Sequence, residues 1–327
     1  MRGGCFEEEA GLSEGRIASV RCGDDLRGRV PGDYLCLADP VCQGPVDGAF
    51  PEEYVSRRAG FVAGHYAPGV GAVRARLLGE YAALRELAGY GRVLLWFEHD
   101  LWDQAVLIRL LSVLADWPAL AGRLWLVPAD GARSFPELPQ AELEALVPVP
   151  LDWAAVEAGA EAWRAFADPD PTALDRLSRR ALPLPHLARA MRRHLQDLPW
   201  VTDGLALTER LVMQGAAAGA GDEGALFRHF RVADPVFHLT DLILRDVVAR
   251  LSTGTRRLLS REAPHGPTPR GAAILAGEAR YVPGPRFQGG VAVGPGGRWW
   301  WNPEVRWRSP PCSPAGSGRR AGWSAPC

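Results

Sequence analysis

The stretch VLLWFEHDLWDQAVLIRLL, Val93–Leu111, decides the fold. Val93–Phe97 is apolar throughout and of strand length. Glu98, His99 and Asp100 then interrupt the run, and from Leu101 to about Ala115 the apolar residues recur at helical spacing. A buried strand running through a polar turn into an apolar helix is half of a βα unit. Reading outward, similar units recur. Ile17–Cys22 (IASVRC) and Tyr34–Ala38 (YLCLA) predict strands, helical patterns fill about Glu52–Tyr66 and Val70–Ala88, and Arg123–Val127 (RLWLV) predicts a fourth strand. Short strands alternating with longer helices predict an α/β fold with a mostly parallel N-terminal sheet and flanking helices.

Downstream the pattern changes. Residues 136–204 read as helical throughout, broken at Asp168-Pro169-Asp170-Pro171 and Leu182–Pro185, where prolines end or start helices. Residues 205–305 predict a mainly helical region, with helices near Thr208 and over Leu239–Leu251, ending in a β-hairpin drawn from Tyr281–Val293 and Gly296–Asn302. That order of helices and hairpin is compatible with a winged-helix-like region. The boundaries are therefore 1–15 as a disordered start, 16–135 as the α/β domain, 136–204 as a helical connection, 205–305 as the helical domain and 306–327 as a disordered tail.

Composition excludes several chemistries. The 37 basic residues are all Arg, so Schiff-base chemistry, a Lys general base and a P-loop Lys are ruled out. The net charge of −1 offers no bulk attraction to nucleic acid or anionic lipid. The six Cys form no C-x-x-C pair, and Cys22 and Cys36 read as small buried residues. The polar, acidic start and the lack of an apolar run near the ~18 residues of a membrane span predict a cytoplasmic chain with no membrane contact. There is no G-x-G-x-x-G, G-x-S-x-G or H-E-x-x-H.

Three of the four expected strands end in acids: Asp24-Asp25, Asp39, and Glu98-His99-Asp100. In an open parallel sheet those ends converge on the crevice where ligands bind. Helical spacing aligns Asp103 with Leu107 and Leu110, and Gln104 with Leu101 and Ile108, so both polar groups stand on faces otherwise buried and need partners. We therefore expect one polar crevice lined by Asp24, Asp39, Gln43, Glu98, His99, Asp103 and Gln104. His99 would transfer protons with Glu98 or Asp103 orienting it, around a polar small molecule or a divalent metal. Each position also has a plainer reading. Asp100 suits an N-cap with Asp103 completing a capping pair, His99 a satisfied core residue, Gln104 a tie to a neighbouring loop, and Asp24, Asp39 and Gln43 turn chemistry.

Two further readings stay open. Arg228, Arg231, Arg256, Arg257, Arg261 and Arg270 could meet DNA phosphates if the helical region and its hairpin form a regulatory module, although the near-zero net charge and the lack of a basic stripe favour a helical accessory domain with ordinary solvated Arg. Alternatively the chain is a structural or interaction module whose acidic junctions are only caps and turns.

Several of these pieces occur together in one known family. Gly23-Asp24-Asp25, Ala38-Asp39-Pro40, Cys42-Gln43-Gly44-Pro45 and above all Leu95–Gln104 (LWFEHDLWDQ) resemble the bacterial family called domain of unknown function 1835. Thr208-Glu209-Arg210, Gly289-Gly290-Val291 and Trp299–Trp301 resemble its longer members. The resemblance covers about residues 17–304 and implies boundaries rather than chemistry; after Val305 the sequence departs from the pattern.

Overall fold

The computed structural model describes residues 13–47, 50–66, 69–131, 133–304 and 306–307. The strands are β1 (Ser13–Arg21), β2 (Asp33–Cys36), β3 (Gly44–Pro45), β4 (Tyr90–Trp96), β5 (Leu124–Leu126), β6 (Val149–Pro150), β7 (Arg286–Gly289), β8 (Val291–Val293), β9 (Trp301–Asn302) and β10 (Arg306–Trp307). The helices are α1 (Glu52–His65), α2 (Val70–Leu84), α3 (Leu101–Leu114), α4 (Gln140–Glu144), α5 (Trp153–Ala167), α6 (Thr172–Leu177), α7 (Leu187–Leu195), α8 (Leu207–Ala217), α9 (Glu223–Ala233), α10 (Asp241–Ser252) and α11 (Pro269–Leu275). No helix among the described residues is long and apolar enough to cross a membrane.

The main sheet has the order β2-β1-β4-β5-β6. The first four strands pair in parallel and β6 closes the edge antiparallel to β5. The chain thus runs from β1 outward to β2 and later returns to β1's other side as β4. That reversal is a topological switch point, where the strand ends open a crevice between β1 and β4.

Strand alternation explains the core. Val93, Leu95 and Phe97 face one way, into the principal core with α1, α2, α3 and the downstream helices. Leu94 and Trp96 face the other, into a small cluster with Leu26, Val127, Phe135, Leu138 and Leu143. Both faces of β4 are therefore buried, as a central parallel strand requires. Helix α3 is apolar nearly all round because it is also covered on its outer side, where Leu111 packs over Gly159 of α5.

The structure changes four expectations. The first strand begins at Ser13, so within the 1–15 start only residues 1–12 lie outside the described residues; of the 306–327 tail, Arg306–Trp307 form β10 and residues 308–327 lie outside. The stretch 136–204 is not helical throughout, because Val149–Pro150 pair with β5 as the edge strand. Two residues carry no readable alternation, and Pro is at home on an edge. The terminal strands form two pairs rather than one hairpin: β7 with β8, and β9 with β10. Finally, the β7–β8 hairpin is no free wing, since β7 also pairs in parallel with β3 of the α/β domain.

Candidate functional site

The residue that organises the switch point is one the sequence reading passed over. On β1, Ala18 and Val20 face the principal core, so Ser19 and Arg21 point to the opposite face. Arg21 is buried there, and its guanidinium reaches four groups. Nη2 bonds Glu98 Oε1 at 2.7 Å and Asp25 Oδ2 at 2.8 Å, Nη1 bonds the Trp96 carbonyl at 3.2 Å, and Nη1 also donates to Asp103 Oδ2. Burial opposes the charge on Arg21, but Asp103 and its other partners outweigh burial and raise its pKa further.

The carboxylates come from the junction after β4. Glu98 is buried, and its Oε1 also accepts the Phe135 backbone N–H at 2.9 Å. Burial and the neighbouring Asp103 push Glu98 up to about 7, against the pull of Arg21. Asp103, in the first turn of α3, accepts the Glu98 N–H at 2.6 Å on Oδ2 and the Cys22 thiol on Oδ1. Cys22 is therefore a member of the polar cluster, not merely a small core residue; burial and Asp103 hold its thiol far above the usual range. Asp100 caps α3, accepting the Trp102 N–H at 2.7 Å and the Asp103 N–H at 3.3 Å, as its position before the helix predicts. Burial, then Asp103 and Glu98, raise its pKa well above the ordinary value. Gln104 donates Nε2 to the Glu98 carbonyl at 2.6 Å, which ties the turn to the helix.

One oxygen from each of Glu98, Asp100 and Asp103 lies within 4.8 Å of the others. Glu98 and Asp103, with the more exposed Asp25, pair with one buried guanidinium and Asp100 is buried beside them, so the cluster needs an added proton or cation. Among the described residues, Glu98, Asp100 and Asp103 are the group able to hold a metal. Asp103 fits that role poorly, because both its oxygens are already bonded and Arg21 stands beside it.

A crevice of about 220 Å³ opens above Glu98, His99 and Asp100. Its far side comes from the C-terminal region, through Arg231, Asp234, Phe237 and His238. The same segment seals the start of α3: the Leu101 N–H bonds the Val236 carbonyl at 2.7 Å. His99 faces this segment rather than an acid. Its Nε2 lies 3.2 Å from the Pro235 carbonyl, and its buried Nδ1 has no partner. The expected orientation of His99 by Glu98 or Asp103 is therefore replaced by a backbone carbonyl.

The remaining expected residues do not join the crevice. Asp24 is exposed and pairs with Arg27 at 2.6 Å, because the turn after β1 carries it outward. Asp39 forms its own buried centre, with Arg58 at 2.6 Å and the Tyr54 hydroxyl at 2.9 Å. Gln43 accepts from the Tyr66 hydroxyl and lines a different cavity. Strand β2 lies on the far side of β1 from β4, so the acid at its end finds a partner on α1 before it can reach Glu98.

Comparison of the chain with protein-family models, curated proteins and solved structures returns no match.

Proposed function

We propose that this chain is a ligand-binding α/β protein of the domain of unknown function 1835 family, working in the cytoplasm, and that its site is the crevice at the β1–β4 switch point. The ligand is a small polar molecule. Glu98 exchanges a proton with it, Arg21 and Asp103 hold the Glu98 carboxyl in place, and His99 and His238 line the approach. The observation that carries this reading is the charge imbalance at the crevice floor, where Glu98, Asp103 and Asp25 share the single guanidinium of Arg21 while the buried Asp100 stands beside Glu98 and Asp103 with only backbone N–H partners. A carboxyl pushed up to about 7 is poised near neutrality to give or take a proton, which is what general acid–base chemistry needs. A divalent cation is the competing source of positive charge.

A thermal-shift screen of polar metabolites and of Mg²⁺, Mn²⁺ and Zn²⁺ tests this, run on wild type and Glu98→Gln. A ligand at ~100 times its Kd stabilises the folded state by about 2.7 kcal/mol, readily seen as a shift in Tm. We expect a metabolite that stabilises wild type and not Glu98→Gln. Stabilisation by a metal alone would transfer the role from proton to cation. Equal shifts in both proteins would remove Glu98 from the site.

A further inference from the structure

A second cavity, of about 300 Å³, lies where the α/β domain meets the helical region. Its size falls at the small end of ligand pockets, and domain junctions are a preferred place for them. Helix α1 and its C-cap supply Phe61 and Tyr66, and the chain entering β3 supplies Gln43 and Gly44. Gly44 has φ of 70°, and a Cβ there would sit 2.6 Å from the Phe61 ring, so only glycine lets the ring pack against the loop. Helix α10 presents Leu242, Ile243, Asp246, Val247 and Arg250, spaced at three and four residues so that one face looks inward. Strand β7 supplies Arg286, Phe287 and Gln288.

The charges are unevenly shared between these walls. On the helical wall, Arg250 serves two acids: it pairs with Asp246 and stands 3.6 Å from Glu209 of α8. One guanidinium against two carboxylates leaves that wall negative. Asp197 also lines the cavity, and its partner Arg193, at 3.0 Å, is itself shared with Asp234. On the strand wall, Arg286 makes its direct hydrogen bonds among the described residues to neutral acceptors, while Glu209 and Asp197 attract it from farther off. It donates to Gln288 Oε1 at 3.0 Å and to the Asp197 carbonyl at 2.6 Å, and its Nε is buried without a partner. Burial, with the nearby Arg250, pulls the Arg286 guanidinium below its ordinary range, and the attraction of Glu209 and Asp197 does not offset it. The rim is apolar and open: Leu242 and Phe287 are each 40% exposed, though both side chains are large hydrophobics.

We infer that this cavity binds a small zwitterion of the amino-acid type with an apolar side chain. Its carboxylate would meet Arg286, its ammonium the Asp246–Glu209 wall, and its side chain Phe61, Phe287 and Leu242. A dipolar lining rejects a simple anion at one wall and a simple cation at the other, while a zwitterion matches both. The site is separate from the switch-point crevice, and the two readings can fail independently.

Isothermal titration calorimetry with three matched probes tests this: L-phenylalanine, 3-phenylpropanoate, which lacks the ammonium, and 2-phenylethylamine, which lacks the carboxylate. L-leucine and L-methionine extend the panel for side-chain fit. Wild type should bind at least one amino acid, and it should bind L-phenylalanine or its best homologue at least tenfold more tightly than either single-charge probe. Arg286→Gln should weaken the carboxylate-bearing probes at least tenfold and leave 2-phenylethylamine unchanged. Asp246→Asn should close the gap between amino acid and 3-phenylpropanoate. Leu242→Trp, at the exposed rim, should block all probes while leaving Tm unchanged, so it decides the matter if Arg286→Gln fails to fold. Absence of binding by every amino acid, a single-charge probe binding as well as the zwitterion, or full binding in Leu242→Trp would each overturn the inference.

Discussion

Replacing Glu98 by Gln should change how stability depends on pH. Glu98 has an ordinary carboxyl value of 4.5 when unfolded and is pushed up to about 7 in the folded chain by burial and by Asp103. Between those values the folded state binds the proton and the unfolded state does not. Its contribution is therefore fully present below 4.5 and lost as pH rises through about 7. For one group with these two values, linkage gives a loss of about 2 kcal/mol between about pH 5.5 and pH 8.5. Gln mimics the protonated acid: it can still accept from Arg21 and from the Phe135 N–H, and it carries no charge to titrate. Other groups titrate in the same window. His194, lowered to about 3 mainly by burial, acts in the opposite sense, so wild type alone gives a mixed profile. The difference between wild type and Glu98→Gln removes those shared contributions. Urea unfolding of both proteins at the two pH values should show the Gln variant gaining about 2 kcal/mol on wild type as pH rises. Parallel profiles would refute the reasoning, for they would mean that Glu98 is ionised across the whole range and that Arg21 alone settles the cluster.

Four other substitutions, at three positions, separate roles within the fold. Arg58→Met removes a fully buried guanidinium and strands Asp39 beside Tyr54; urea unfolding should show a loss of about 3–5 kcal/mol. Asp100→Asn keeps the oxygen that caps α3, so it should stay within about 0.5 kcal/mol of wild type, whereas Asp100→Ala should lose about 1 kcal/mol of unfolding free energy. Gly159→Ala would ordinarily favour a helix, but its new Cβ would stand 2.7 Å from Leu111 Cβ at the α3–α5 contact. Overpacking there should outweigh helix propensity, with a net loss of about 1–2 kcal/mol and a lower Tm.

The α/β architecture was legible because its central elements carry periodic signals. Val93–Phe97 and Leu101–Leu114 are long, apolar and separated by one polar turn, and the structure has β4 and α3 there. Asp100 as a cap, and Asp103 and Gln104 as buried groups needing partners, follow from the same spacing. What sequence could not supply was partner choice. Asp24, Asp39 and Glu98 look alike as strand-end acids, yet they end in an exposed pair, a buried pair with Arg58 and a cluster on Arg21. Strand order decides this, and order is a property of the assembled sheet. Arg21 itself left a readable trace: in IASVRC, a period of two puts Ser19 and Arg21 on the face opposite Ala18 and Val20. Ser19 accepts from Trp96 on that face, and Arg21 reaches the cluster from it. Two-residue strands such as β3 and β6 carry no pattern at all, so the docking of the terminal hairpin onto the α/β domain was invisible.

That docking bears on why the helical region accompanies the α/β domain. A polar cluster at a switch point would be open to water if the sheet and its own helices were all that surrounded it. Here the Pro235–Val236 carbonyls take up His99 and the first N–H of α3, while Phe237 forms a wall of both the switch-point crevice and the junction cavity. One segment between α9 and α10 thus faces Glu98 across the switch-point crevice on one side and walls the junction cavity on the other. Burial is the leading cause of the raised Glu98 value, so whatever closes this end of the sheet bears on the proton that Glu98 holds.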